Sequence, residues 1–217
     1  MTDEEILSRV DHTLLKADAD WEAVKALCGE AAAYRTASAC IPPSYIKRAH
    51  DRFGGGLVIG TVIGFPLGYS TARVKISEAE EALIAGASEI DMVINLGDVK
   101  NRNFAAVERE ITLLKEAVGK RVLKVIVEAC YLTLEEKGLL CEIVSAGGAD
   151  YIKTSTGFGP AGAALEDVRL FKSRLGPGVK IKGSGGIKTR DALEAFINAG
   201  CDRIGTSSAI ALLAPQP

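Results

Sequence analysis

The sequence predicts an α/β protein, a single (β/α)8 barrel of the TIM type with a short N-terminal helix over Glu4–Ser8. Three observations carry that prediction. Eight short runs rich in β-branched residues alternate with amphipathic stretches of Ala, Glu, Lys and Leu, the pattern of a parallel sheet with crossover helices. Glycine stands at or just past the end of several helical stretches, at Gly86, Gly119, Gly147 and Gly200. The phrases Ala85-Gly-Ala-Ser-Glu-Ile90, Ala146-Gly-Gly-Ala-Asp-Tyr151 and Ala199-Gly-Cys-Asp-Arg-Ile204 repeat one helix-to-strand return, as stacked βα units would.

In chain order the strands are expected at Arg9–Thr13, Thr36–Ile41, Leu57–Ile63, Glu89–Asn95, Arg121–Glu128, Asp150–Thr154, Val179–Lys182 and Asp202–Thr206. The helices between them are expected at Trp21–Ala33, Thr71–Ala85, Phe104–Val118, Leu134–Ala146, Leu165–Ser173 and Thr189–Ala199. No Pro-rich or Ser-rich linker interrupts this series, so residues 1–217 are expected to form one domain, with the Ala214-Pro-Gln-Pro217 end frayed.

Composition narrows the function. With 217 residues, 47% of them hydrophobic, the chain can bury a full core. A formal net charge of −2 with both signs dispersed offers no basic face for nucleic acid, so any phosphate it binds is small and locally held. Five cysteines without a C-x-x-C pair read as reduced thiols. An acidic N-terminus and the lack of an apolar run near about 20 residues argue against a signal peptide or a membrane span. The expected setting is the cytoplasm, and the expected assembly a homodimer.

Reactive groups of such a barrel sit at the carboxyl ends of its strands. Four consecutive strands carry charges there that an apolar interior would not tolerate without a purpose: Asp91, Lys124, Lys153 and Lys182. Alternation lets Lys153 and Lys182 both point inward from adjacent strands, about 4.8 Å apart. An ammonium beside a second cation in a partly desolvated pocket loses its proton more easily and becomes a nucleophile. Asp91 is placed to balance the remaining charge and relay protons. If Lys182 faces inward, parity turns Lys180 inward too, a further charge lower in the barrel.

A second pattern is glycine-rich. Gly183-Ser-Gly-Gly-Ile187 follows the seventh strand and Gly205-Thr-Ser-Ser-Ala209 the eighth, each read as opening onto a helix whose amides hold a phosphate. Gly157-Phe-Gly-Pro-Ala-Gly162 matches a dinucleotide fingerprint, but the next strand ends in Lys182 and Gly183 without an acidic ribose partner, so it reads as a loop on the phosphate side. Asp11 and Thr13 end the first strand and are candidates to order a catalytic water; Cys40 is a pocket-lining or packing residue. His12 and His50 read as packing and helix-surface residues. Neither histidine has a partner at ligand spacing, so no metal is expected.

These residues accommodate an imine-forming aldolase, another barrel lyase or isomerase whose lysines serve only as acid and base, and a non-catalytic phosphate-binding barrel. Asp11-His-Thr-Leu-Leu-Lys16, Thr61-Val-Ile-Gly-Phe-Pro-Leu-Gly68, Glu89-Ile-Asp-Met-Val-Ile-Asn95, Lys153-Thr-Ser-Thr-Gly-Phe158 and Gly205-Thr-Ser-Ser208 together resemble the deoxyribose-phosphate aldolase family over nearly the whole chain. That resemblance implies reversible cleavage of 2-deoxy-D-ribose 5-phosphate to D-glyceraldehyde 3-phosphate and acetaldehyde in deoxyribose catabolism, with no metal or organic cofactor. It implies that Lys153 forms the Schiff base, Lys182 activates it and Asp91 relays protons. It implies phosphate contacts at Gly157, Gly185, Gly186, Ser207 and Ser208. The chain departs from the family pattern at Ala39 and Pro42 around Cys40, at Gly183, and in lacking the C-terminal tyrosine that some members carry.

Overall fold

The computed structural model describes residues 1–214; the expectations for the tail, its fraying and its missing tyrosine, lie outside the described residues. Eight strands, β1 (Val10–Thr13), β2 (Ser38–Cys40), β3 (Ile59–Ile63), β4 (Glu89–Val93), β5 (Val122–Ile126), β6 (Tyr151–Lys153), β7 (Lys180–Ser184) and β8 (Arg203–Thr206), pair in sequence order into a closed barrel. All neighbours are parallel, and β1 closes on β8 from Val10↔Ile204 to His12↔Thr206. Around it run α1 (Asp3–Leu7), α2 (Trp21–Ala33), α3 (Ile46–Phe53), α4 (Ala72–Ala85), α5 (Leu96–Lys100), α6 (Phe104–Val118), α7 (Leu134–Ala146), α8 (Leu165–Arg174), α9 (Arg190–Ala199) and α10 (Ala209–Leu213). The (β/α)8 expectation is met.

Local chemistry starts and stops these elements. Thr2 and Glu5 form a capping box on α1, Thr133 and Glu136 form another on α7, and Asp20 accepts from the Ala23 amide to open α2. Gly86 ends α4 at φ 113°, and a Cβ there would also meet the His50 ring at 2.5 Å.

Ile90, Met92, Leu123, Val125, Ile152, Ile181 and Ile204 alternate to the outer face of the sheet, where they are buried under the helices. Each such side chain contributes roughly 1.5–3 kcal/mol of burial, so the main apolar core is the layer between strands and helices. The inner face keeps the charged residues.

Boundaries differ in two informative places. β7 runs to Ser184, two residues past its expected end, because Gly183 and Ser184 remain in register with Ile204 and Gly205. β5 stops at Ile126, so Glu128 belongs to the loop above the barrel. The helices α3, α5 and α10 were not expected; α5 and α10 have five residues each, too few to show a helical period. Among the described residues no helix is long and apolar enough to cross a membrane. All five cysteines are free, and four are buried.

Candidate active site

Strand alternation supplies the site. On β4 the outward turn of Ile90 and Met92 sends Glu89, Asp91 and Val93 inward, and the register sets Asp91 beside Lys124, Lys153 beside Lys182, and Lys182 beside Arg203. Asp11 and Ser38 enter the same layer from β1 and β2. The four charged residues of β4 to β7 singled out in the sequence therefore do meet inside the barrel.

Asp91 is fully buried at the centre. Its Oδ2 accepts from Lys153 and from Lys182, each at 2.7 Å, and its Oδ1 from Lys124 at 2.9 Å. Lys182 also pairs with Asp11 at 2.5 Å, and Lys124 with Glu89 at 2.6 Å. Arg203 spans Asp11 and Glu89, the latter at 3.0 Å. Ser38 donates to Asp11 at 2.8 Å.

Three carboxylates, Asp11, Glu89 and Asp91, thus face four cations, Lys124, Lys153, Lys182 and Arg203. An uncompensated buried charge is costly, and four basic groups against three carboxylates leave one of the four favoured to be neutral. Burial opposes the charge on Lys182, but Asp11 and Asp91 outweigh it and hold this pKa above the ordinary lysine value. Burial likewise opposes Lys124, and Asp91, Asp11 and Glu89 together raise it well above that value. For Arg203, Asp11 and Glu89 overcome the same penalty. Burial alone would protonate Asp91, yet Lys124, Lys153 and Lys182 keep its carboxyl well below the usual range.

Lys153 is the exception. Burial pushes its pKa down, the nearby Lys182 adds to that, and Asp91 only partly offsets them because Lys182 competes for the same oxygen. Of the interior lysines, only Lys153 also lines the open cavity at the carboxyl end of the barrel. That cavity, about 170 Å³, is bordered by Thr13, Thr156, Gly157, Ser184, Gly185, Gly186, Lys188, Gly205, Ser207 and Ser208.

All five glycines and serines expected at a phosphate site meet there, in a somewhat different way from the expectation. Gly185 and Gly186 lie in a turn with φ 83° and 79°, and α9 begins only at Arg190, so their amides belong to a left-handed turn instead of a helix start. The Gly157–Gly162 loop folds onto this turn: the Ala163 amide donates to Ser184 O at 2.9 Å, and a Cβ on Gly162 would stand 2.2 Å from Gly185 O. Only a bare glycine permits that approach.

The remaining candidates take the following places. Asp11 is held by Lys182, Arg203 and Ser38 beneath the cavity, which makes it a counter-ion and leaves it unplaced for ordering a catalytic water; Thr13 lines the cavity but donates its hydroxyl to Asp11 O at 2.7 Å. Cys40 is buried inside the barrel, and burial raises its thiol pKa. Lys180 starts β7 at the exposed barrel bottom, 5.7 Å from the Tyr151 ring centre, which removes the parity difficulty. Ala39 lies on the helix-facing side of β2, away from the cavity, and Gly183 packs under α9, where a Cβ would meet Cys201 Sγ at 3.0 Å. His12 is buried on the outer face, 2.8 Å from Glu30.

Sequence reasoning missed Glu89, Arg203 and Lys188. Glu89 and Arg203 stand two residues before Asp91 and Gly205, so the same period of two could have found them.

The chain matches the family model described as DeoC/LacD family aldolase over residues 6–214. A deoxyribose-phosphate aldolase of Clostridium botulinum (strain Alaska E43 / Type E3) is 57% identical over 213 residues, 98% of this chain and 96% of the relative. One from Clostridioides difficile (strain 630) is 52% identical over 208 residues, 96% of this chain and 95% of the relative. The solved tetrameric deoxyribose phosphate aldolase of Aeropyrum pernix superposes with a TM-score of 0.89 at 36% identity, covering 98% of this chain and 91% of that one.

Proposed function

The chain belongs to the DeoC/LacD family of aldolases, and from that premise we propose that it reversibly cleaves 2-deoxy-D-ribose 5-phosphate to D-glyceraldehyde 3-phosphate and acetaldehyde through an imine on Lys153. The observation that carries the assignment to Lys153 is its position: among the described residues it is the one lysine of the buried cluster that also stands on the cavity wall.

In the cleavage direction the neutral Lys153 amine adds to C1 of the open-chain sugar. Lys182, kept cationic, supplies the proton with which the carbinolamine hydroxyl leaves as water. The C3 hydroxyl then gives up its proton, the C2–C3 bond breaks, and its electron pair moves into the iminium to leave an enamine and free glyceraldehyde 3-phosphate. Protonation of the enamine carbon and hydrolysis release acetaldehyde and restore the amine. Asp91, bonded to both lysines, passes protons between them and, with ordered water, serves the enamine step. Gly157, Gly185, Gly186, Ser207 and Ser208 hold the phosphate, an orientation effect capable of several kcal/mol. The whole of residues 1–217 is one catalytic domain in this reading. Its buried free thiols favour a cytoplasmic setting, and a homodimer is the proposed assembly.

Acetaldehyde followed by borohydride tests the imine: peptide mapping should place one reduced adduct on Lys153, and an adduct on Lys124 or Lys182 would refute the assignment. The phosphate site has its own test. Gly162→Ala forces the loop off the Gly185 turn, an overpacking cost of about 1–3 kcal/mol, and should raise KM for the sugar phosphate about 10-fold or more while the Lys153 adduct still forms. An unchanged KM would detach this loop from substrate binding.

A further inference from the structure

Glu128 has no role in the steps above, yet it is buried and tied into the cavity wall. It follows β5 with φ 48° and ψ 64°, the left-handed region disfavoured for a residue with a Cβ. On either side of this turn the Val127 amide donates to Lys153 O at 3.0 Å and the Ala129 amide to Thr154 O at 2.8 Å. The segment carrying Glu128 therefore grips the strand carrying Lys153, and its side chain reaches the loop that follows.

There the carboxylate accepts from the Thr156 amide, at 3.1 Å on Oε1 and 3.3 Å on Oε2, and from the Thr156 hydroxyl. With its own proton committed to Glu128, Thr156 Oγ1 accepts from the Phe158 amide at 3.0 Å. Gly159 closes over the group, since a Cβ there would lie 3.2 Å from the Glu128 carboxyl carbon. Thr156 and Gly157 are cavity residues, so the chain of bonds runs from Glu128 to the wall where the substrate's phosphate end is placed.

We propose that Glu128 is a positioning residue for recognition of the phosphorylated end of the substrate, fixing the Thr156–Gly157 segment through both donors of Thr156. The inference rests on the substrate reading above. Two donors converge on one side chain, which suits an acceptor-only carboxylate; a glutamine would turn its NH2 toward one of them. The left-handed backbone is compatible with this purpose, because it is what aims the carboxylate at the loop from the end of β5.

The experiment compares wild type and Glu128→Gln on 2-deoxyribose 5-phosphate and on unphosphorylated 2-deoxyribose, with acetaldehyde and borohydride trapping on Lys153 in both proteins. Losing one charge-assisted bond predicts a KM for the phosphorylated sugar about 10-fold higher. The kcat/KM for the unphosphorylated sugar should not change and the Lys153 adduct should persist, since neither uses the phosphate contacts. An equal loss on both sugars, or loss on neither, overturns the proposal, because a merely structural role would not separate them. Glu128→Asp keeps the charge one methylene short and carries the same comparison if the glutamine variant does not accumulate. A wild-type protein that forms no Lys153 adduct and leaves the sugar phosphate intact refutes the substrate reading itself, an outcome distinct from any result at Glu128.

Discussion

Lys153→Ala is expected to lower kcat for 2-deoxyribose 5-phosphate cleavage by about 10⁴-fold or more, because the covalent route disappears with its amine. Truncation also removes the fourth basic group, leaving Asp11, Glu89 and Asp91 balanced by Lys124, Lys182 and Arg203. The variant should therefore fold, with a thermal midpoint close to or above that of the parent, since a buried group was removed without stranding a partner. Steady-state assay, trapping and a thermal melt check it together. Residual activity above about one percent of wild type, or an adduct moving to Lys182 with full turnover, would show that another group carries the chemistry.

Lys182→Leu is expected to have the next largest effect, and its direction follows from the same charge count. Without Lys182, the three carboxylates face Lys124, Arg203 and Lys153, so Lys153 becomes the third required cation. It also gains sole use of Asp91 Oδ2, now shared at 2.7 Å with Lys182. Both changes favour the ammonium and raise the Lys153 pKa. An amine is nucleophilic only above its pKa, so activity near neutral pH falls, by about tenfold for each unit of upward shift, and about 100-fold is expected. The pH profile separates this from simple damage. In wild type the depressed Lys153 pKa brings the rising limb below the ordinary lysine range; in Lys182→Leu the limb moves to higher pH and alkali recovers part of the rate. A profile lowered at every pH without displacement would mean that Lys182 acts only as proton donor.

Particular residues show how far sequence reading reached. Asp91, Lys124, Lys153 and Lys182 were visible because a charge in a β-branched run breaks its surroundings, and period-two alternation told which of them share a face. The glycines of the cavity were visible as strand-to-helix punctuation, but the turn at Gly185 and Gly186 was not, since its left-handed φ values depend on how the loop meets Gly162. The sequence pattern puts Glu128 at the end of a strand. Its true place could not be inferred locally, because it is defined by Thr156, 28 positions away.

The sequence by itself determined the eightfold βα order, the inward faces of the strands and the residue types gathered at their carboxyl ends, because those follow from short-range periodicity and turn chemistry. Tertiary structure decided which interior lysine combines a lowered proton affinity with a place on the cavity wall. Closure of β1 on β8 brings Asp11 to Arg203 across 192 positions, and the register sets every charge at its height in the barrel. Proton affinity is the sum of burial and all neighbouring charges, and those neighbours exist only once the barrel is closed.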